Sequence, residues 1–221
     1  MKFEVIEGAR YNLNCSLLWC EQTGAAAVID PGVDCDELIG MIDLLDLRLE
    51  LVLVTHGHFD HAGQAARVAE ATGARIEGPH HGDAHLIAGL PELGTKYGAA
   101  SRSYEPTRWL DHGDVVRFGD VVLDVIHCPG HCHGHVAYVS MEARQAFVGD
   151  ILFRGAIGAW EHAEGNLGEL LHGIRTRLFT LGDDIAFVPG HGETSTFGRE
   201  RRENRFVGDD AWGRWQARNL V

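Results

Sequence analysis

Apolar residues near the start of the chain recur in short runs that are separated by turn residues. These runs predict strands over Phe3–Ile6, Asn14–Cys20 and Ala25–Asp30. The turn signals between and after them are Thr23-Gly24 and Pro31-Gly32. The chain therefore opens with β-structure.

The spacing of apolar residues changes after this opening. Between Leu38 and Leu45 they recur at helical spacing, and Asp34 with Glu37 has the pattern of a capping box at the helix start. The run Leu49–Val54 predicts a buried strand, which ends abruptly in Thr-His-Gly-His. A helix and a strand thus follow the opening strands.

The rest of the chain alternates between the same two patterns. One or two helices are predicted within 80–105. Strands are predicted at Val115–Phe118, Val121–Ile126, Val136–Met141, Ala146–Val148 and Ile185–Val188, and helices at Ala62–Ala71 (ended by Gly73), Leu167–Leu181 and Phe197–Phe206. This order does not fit a simple βαβα repeat. It predicts an α/β sandwich of mixed sheets in one domain, 1–221.

Composition restricts the class of protein. The chain has 221 residues, 45% hydrophobic and 23% charged, which is typical of a globular protein. A net charge of -13 argues against nucleic acid and anionic membranes as partners. The apolar runs are only strand-length, and Glu4 and Glu7 interrupt the region where a signal peptide would be apolar. We therefore expect a cytoplasmic protein with a small-molecule substrate; the sequence leaves its oligomeric state open.

The cysteines do not predict disulfides. They are Cys15, Cys20, Cys35, Cys128 and Cys132, an odd number without a C-x-x-C pair. Reduced thiols are expected.

Histidine is the unusual residue, with 14 copies that cluster along the chain. In Thr55–His61, His56 and His58 are two apart in an extended stretch, so both side chains can point to one cation. Asp60 and His61 lie where the chain turns into the next helix and face another direction. They suit a second cation, about 3.5–4 Å from the first.

Further candidate ligands each follow a predicted strand. His131 lies in Cys-Pro-Gly-His, Asp150 in Val-Gly-Asp and His191 in Val-Pro-Gly-His-Gly. Strand ends present side chains to a shared cleft. The sequence thus offers seven candidate metal ligands: His56, His58, Asp60, His61, His131, Asp150 and His191.

With these motifs the chain resembles the metallo-β-lactamase superfamily, and within it the small bacterial glyoxalase II-like hydrolases. The resemblance implies an αβ/βα sandwich of two mixed sheets with helices on the outer faces. It assigns His56, His58 and His131 to the first of two divalent ions. It assigns Asp60, His61 and His191 to the second, with Asp150 as the bridge. Zinc is the expected metal, and iron or manganese are alternatives.

The resemblance also implies a reaction. A metal-bound hydroxide attacks an activated carbonyl, and Asp60 is the catalytic residue that helps to orient it. The implied substrate is an anionic thioester such as a hydroxyacyl-glutathione. His135 is a family histidine for which a supporting or packing role is expected rather than ligation. The histidines without ligand spacing are expected at the surface or in packing: His80, His81, His85, His112, His162 and His172.

The chain departs from the family pattern in three places. Gly158-Ala159-Trp160-Glu161 stands where relatives carry Gly-Arg-Thr-Asp, so an expected cation is missing. Cys132-His133 replaces Thr-Pro or Thr-Ser, and Cys132 is interpreted as a small buried residue. The chain ends before the glutathione-binding helical region of true glyoxalase II. Tail arginines could bind a substrate anion or form a solvated face balanced by Glu200 and Glu203: Arg199, Arg201, Arg202 and Arg205.

Three other functions stay open at this point. Persulfide dioxygenases share the motifs but use one iron, held by equivalents of His56, His58, His131 or Asp150. A lactonase would use the same hydrolytic chemistry. A metal-binding module without catalysis is the alternative from another class, although such a module needs only four ligands.

Overall fold

The first sheet holds the opening strands. The computed structural model describes residues 1–8, 12–32 and 35–219. In spatial order the sheet contains β1 (Lys2–Glu7), β2 (Asn14–Trp19), β3 (Ala25–Ile29), β4 (Arg48–Leu53) and β5 (Arg75–Glu77). β1, β2 and β3 pair antiparallel, whereas β3, β4 and β5 pair parallel. The sheet is therefore mixed, as predicted.

The second sheet has six strands in the order β13-β12-β9-β8-β7-β6. Their ranges are β6 (Val115–Phe118), β7 (Val121–His127), β8 (Val136–Ser140), β9 (Gln145–Gly149), β12 (Ala186–Pro189) and β13 (Ser195–Thr196). Only β9 and β12 pair parallel; the other neighbours are antiparallel. A separate hairpin consists of β10 (Leu152–Phe153) and β11 (Ala156–Ile157).

The two sheets pack against each other, and alternate strand residues face opposite layers. In β4, Leu51 and Leu53 belong to the core between the sheets, while Val52 faces the helices outside. Successive side chains of a strand point to opposite faces, so a strand covered on both faces must be apolar throughout. This explains why β4, which begins with alternating Arg48-Leu49-Glu50, is apolar throughout at its end, Leu51–Leu53. Second-sheet residues in the same core include Phe118, Leu123, Tyr138, Phe147 and Val188.

Helices cover both outer faces. Their ranges are α1 (Cys35–Leu44), α2 (Phe59–Ala62), α3 (Ala65–Thr72), α4 (Ala84–Tyr97), α5 (Leu167–Gly173), α6 (Phe197–Glu203) and α7 (Asp209–Asn219). Leu38, Val68 and Ile87 of α1, α3 and α4 pack on the first sheet. Leu170 and Phe197 of α5 and α6 pack on the second. The predicted αβ/βα sandwich is confirmed, while the extent of one domain over 1–221 stays a prediction. Within the described ranges, no helix combines the length and apolar character needed to cross a membrane.

The structure differs from the predicted elements in a few places. The helix predicted at Ala62–Ala71 is two helices, α2 and α3, and Gly73 ends the second in the left-handed conformation with φ 76°. The predicted Leu167–Leu181 helix leaves α-geometry after Gly173, where π and 3-10 turns continue to 181. The strands β5, β10, β11 and β13 have only two or three residues, too few to show a period. The capping residue Asp34 lies outside the described residues.

Replacing Leu51 by alanine tests the core between the sheets. Leu51 is fully buried, so its loss leaves a cavity, and we expect the free energy of unfolding to fall by about 2–5 kcal/mol. Leu44→Ala is the matched control, because Leu44 is 84% exposed and its change should stay within about 0.5 kcal/mol. Urea denaturation measures both. Equal losses would contradict this assignment of the core.

Candidate metal centre

The ends of several strands converge at one edge of the sandwich. The parallel strands β3 and β4 run into Asp30 and into the segment that begins at His56, and the parallel strands β9 and β12 run into Asp150 and His191. Carboxyl ends of parallel neighbours lie at the same sheet edge, where ligands commonly bind. Asn14 joins the two sheets there, since its backbone N–H donates to the carbonyl of Gly190 at 2.7 Å.

Three histidines form the first group of donor atoms. Nδ1 of His58 lies 3.0 Å from Nε2 of His56 and 3.0 Å from Nε2 of His131. The other nitrogens of the latter two rings are used elsewhere: His56 Nδ1 lies 3.0 Å from the Thr55 hydroxyl, and His131 Nδ1 donates to the carbonyl of Ala159 at 2.8 Å. These bonds place the protons on Nδ1 and leave both Nε2 lone pairs facing the cluster.

Asp60, His61 and His191 form the second group. Nε2 of His61 lies 3.2 Å from Nε2 of His191, and Asp60 Oδ2 lies 3.3 Å from the same His191 nitrogen. His61 Nδ1 donates to Asp30 Oδ2 at 2.9 Å, which turns its Nε2 toward the group. Within each of the two groups, the three ligand atoms lie within 4.8 Å of one another.

Asp150 lies between the two groups. Its Oδ2 is 3.7 Å from His131 Nε2, while its Oδ1 is 3.5 Å from His61 Nε2 and 3.6 Å from His191 Nε2. Oδ1 is buried and accepts no hydrogen bond from the part of the chain that the structure describes. A buried carboxylate oxygen without a donor needs another positive partner.

The donor set fits divalent cations. Nδ1 of His58 can donate a proton to only one of the two Nε2 atoms that it faces, so at least one of these pairs is left without a hydrogen bond, and a metal ion among the three rings would satisfy all of them. Burial lowers the pKa of His56 well below its usual range and that of His58 to about 4, so both are neutral at pH 7. Burial also acts to lower the pKa of His61, but Asp150 and Asp30 outweigh it and raise the pKa well above normal. The carboxylates here thus demand positive charge.

Asp30 is a supporting residue that the sequence motifs did not reveal. Its Oδ1 accepts from Thr55 N at 2.7 Å, and its Oδ2 accepts from the Thr55 hydroxyl at 2.6 Å and from His61. Asp30, His56 and His61 have potential ligand atoms within 4.8 Å of one another, but both oxygens of Asp30 already accept hydrogen bonds. Its φ of 53° is uncommon for a residue other than glycine. The sequence predicts Asp30 as the last residue of a strand and Pro31-Gly32 as a turn, whereas β3 ends at Ile29 and the side chain of Asp30 faces the site.

His135 and Cys132 are not among the seven candidate ligands, but both form hydrogen bonds near the site. His135 Nε2 accepts a hydrogen bond from the backbone N–H of Asp150 at 3.0 Å, as expected for a supporting residue. The Cys132 thiol is fully buried and donates to Asp83 at 3.1 Å. Burial and then Asp83 raise the pKa of this thiol well above its usual range. Cys132 is therefore a protonated packing residue, as interpreted.

A glycine is required where two ligand segments approach each other. A Cβ at position 190 would lie 2.2 Å from Asp150 Oδ1 and 2.6 Å from Cε1 of His61. The Pro-Gly-His motif therefore reflects the space that Asp150 and His61 need.

The segment that departs from the family pattern contacts the site through its backbone. Ala159 supplies the carbonyl that accepts from His131, whereas Trp160 packs edge-on against Phe206 at a ring distance of 5.6 Å. His162 is exposed, as predicted, but its ring lies 5.5 Å from that of His131. It borders the cluster, a proximity that ligand spacing did not reveal.

The arginine-rich tail is used in structural contacts. Arg201 Nε donates to Asp183 at 2.6 Å, and Arg199 pairs with Glu203 at 3.1 Å, four residues along α6. Glu203 thus balances the positive charge on this face of α6, in agreement with the interpretation of the tail as a solvated helix face.

The interpretation that Glu200 also balances a solvated face is wrong. Its side chain is only 1% exposed, and it accepts hydrogen bonds from the Ser195 hydroxyl and from Gly155 N. Helical periodicity places Glu200 toward the second sheet, where these donors satisfy its charge.

A cavity of about 350 Å³ opens beside the second group. It is lined by Asn12, Phe153, Arg154, His191, Gly192 and Glu193. Arg154 pairs with Glu193 there and brings a cation next to His191, which the sequence analysis did not single out. A larger cavity of about 570 Å³ lies near α3 and α4, and its lining contains none of the seven donor residues.

Comparison with known proteins identifies the family to which this fold and these metal-ligand residues belong. The sequence profile of the metallo-beta-lactamase superfamily matches residues 9–191. The chain belongs to this superfamily, whose fold implies divalent metal ions.

Individual relatives narrow the class further. Hydroxyacylglutathione hydrolase GloC of Haemophilus influenzae is 37% identical over 94% of this chain and 98% of its own length. The crystal structure of TTHA1623 in a di-iron-bound form has a TM-score of 0.81 at 31% identity, covering 92% of this chain and 99% of that chain. The BLEG-1 B3 metallo-beta-lactamase has a TM-score of 0.84 at 27% identity, covering 93% and 99%. These likenesses support a glyoxalase II-like metallo-hydrolase.

Asp30→Asn tests how the cluster is held. The asparagine side chain has one accepting oxygen in place of two, so it cannot accept all the hydrogen bonds that Asp30 accepts from Thr55 and His61. His61 then loses its fixed orientation. We expect metal affinity to fall about 10–100-fold, measured by competition with a chelating indicator. Asp43→Asn, at an exposed position, is the control and should bind metal as the parent does. Undiminished affinity in Asp30→Asn would exclude this supporting role.

Proposed function

We propose that this protein is a metal-dependent hydrolase of a thioester, such as a hydroxyacyl-glutathione. The observation that carries the proposal is the position of Asp150, whose two oxygens face different groups of three donors. Such an arrangement suits a pair of ions with one bridging carboxylate. The name of the Haemophilus relative supports the substrate class.

The proposed ligands follow the two donor groups. The first ion takes His56, His58 and His131, and the second takes Asp60, His61 and His191, with Asp150 between them. Five imidazoles and two carboxylates suit zinc, which we propose as the metal. Iron or manganese remain alternatives for the same donors, and a di-iron relative favours testing iron.

When bound, the ion pair supplies activated water and polarises the substrate carbonyl. Asp60 is proposed to accept a hydrogen bond from the attacking water and to orient it. Burial acts to raise the pKa of Asp60, but the hydrogen bond from His191 and the charge of His61 outweigh it, so the carboxylate stays ionised. At 27% exposure, the Asp60 side chain remains accessible to solvent.

A thioester fits the residues around the cluster. The leaving thiol has a pKa of about 8.5, so expulsion needs little help from a general acid. The net charge of -13 repels an anionic substrate, so attraction must be local. Arg154 lines the cavity beside His191, and we propose that it exchanges its pairing with Glu193 for a carboxylate of the substrate.

The alternative functions differ in how they use the donors. A mononuclear iron dioxygenase would leave Asp60, His61 and His191 without a metal, although these three converge as closely as the first group. A non-catalytic module needs only four ligands. A lactonase would share the ions and Asp60, so only the substrate distinguishes it.

Asp60→Asn tests the proposed catalytic residue. The variant keeps the size of the side chain but loses an anionic acceptor, so we expect kcat for S-lactoylglutathione to fall about 100-fold or more. Asp43→Asn should retain the parent's rate. Full activity of Asp60→Asn would contradict the role of Asp60. Absence of turnover of every thioester by the metal-loaded parent would contradict the substrate class.

Metal content separates hydrolase from dioxygenase. We expect two divalent ions per chain in protein purified without chelators, and no oxygen uptake when a glutathione persulfide is added. Elemental analysis and an oxygen electrode provide the two measurements. One iron per chain together with persulfide-dependent oxygen consumption would replace the hydrolase proposal.

A further inference from the structure

A separate cluster of side chains that could ligate a metal ion is formed by His85 of α4, His133 of the loop after β7 and Glu164 of the segment before α5. His85 Nε2 is 3.1 Å and His133 Nδ1 is 2.9 Å from the same oxygen, Glu164 Oε2. One ligand atom from each residue lies within 4.8 Å of the others. None of the three belongs to the seven donors of the metal centre. His85 was predicted only as a surface or packing residue, and Glu164 gave no signal in the sequence.

The fold positions the two histidines relative to each other. His85 lies in the first turn of α4, two residues after Asp83, which is the N-cap of this helix. The buried Asp83 carboxylate accepts from Cys132 Sγ and from Gly134 N, the two neighbours of His133. One carboxylate therefore ties the start of α4 to the loop that carries His133.

The third ligand is anchored to the same loop. Glu164 precedes α5, and the backbone N–H of Asn166 donates to the carbonyl of Gly130 at 2.8 Å. The three side chains thus come from distant segments whose backbones are already connected. Such pre-organisation lowers the cost of ordering them around a ligand.

Ion pairing alone is a weak explanation for this cluster. The side chains of His85 and His133 are 53% and 58% exposed, and exposed pairs contribute little to stability. Two imidazoles and one carboxylate are, however, the protein ligands of many open zinc sites. The half-buried Glu164 places its charge where both rings can share a cation.

We propose that His85, His133 and Glu164 form an additional binding site for a divalent transition-metal ion, with Zn²⁺ as its representative. The two histidine nitrogens and Glu164 Oε2 are the ligands, and solvent completes the coordination. Imidazole-rich sites of this type bind Ni²⁺ and Cu²⁺ as well. The acidic chain, with its net charge of -13, favours cation accumulation at its surface.

The site would share a loop with a ligand of the metal centre. His133 is two residues from His131, and Gly158–Glu161, where the family pattern has a cation, carries none. The proposal concerns binding alone, so it does not depend on the identity of the substrate or on hydrolysis.

Zinc stoichiometry of the metal-loaded protein tests the site. After equilibrium dialysis against buffered micromolar Zn²⁺, we expect the parent to hold one more ion per chain than His85→Ala or Glu164→Gln. Loss of a ligand should lower affinity at this site by at least about tenfold. His172→Ala, an exposed histidine elsewhere, is the matched control and should hold as many ions as the parent.

A second measurement locates the additional ion. In parent protein that carries two ions per chain, further Zn²⁺ should shift the imidazole NMR signals of His85 and His133 and leave that of His172 unchanged. Equal zinc content in the parent and both variants, or unchanged signals of His85 and His133, would overturn the proposal. Neither readout involves turnover, so this failure is distinct from failure of the proposed hydrolase.

Discussion

The crowding of nitrogen and carboxylate ligand atoms whose hydrogen-bonding needs the protein cannot all satisfy is the constraint on which this structure depends. Nδ1 of His58 lies 3.0 Å from nitrogens of both His56 and His131, and Asp150 places a buried oxygen that accepts no hydrogen bond beside His61 and His191. Such atoms approach only when the rest of the fold holds them there or a cation joins them. The outward-facing hydrogen bonds, including that of His131 to Ala159, fix which nitrogen faces inward.

The sandwich meets this constraint by ending its strands at one edge. The ligand segments after β4, β9 and β12 begin where a strand buried on both faces ends, so the rigid cores on either side set the direction of the chain. Supporting side chains then correct the local geometry: Asp30 holds His61, and His135 holds the backbone of Asp150. The pairing of a rigid layer with short, hydrogen-bonded loops explains how distant residues reach a common point.

Most of the fold, and the seven side chains that meet at one edge of it, could be predicted from local sequence patterns and from the family resemblance, whereas their role as metal ligands stays a prediction. Apolar runs predict buried strands such as β4, and histidines at fixed spacing predict the first motif. Asp30, Asp83 and Arg154 could not be found in this way, since their roles come from partners far along the chain. Glu200 was misjudged for the same reason: its burial follows from donors on other segments.

The division of the donors between the two sheets has a mechanical consequence. His56 and Asp60 follow a strand of the first sheet, whereas His131, Asp150 and His191 follow strands of the second. Under the proposed ligation, each ion binds ligands from both sheets. Release of the ions would remove this connection between the sheets at one edge, so the supply of metal and the stability of the sandwich are thermodynamically linked.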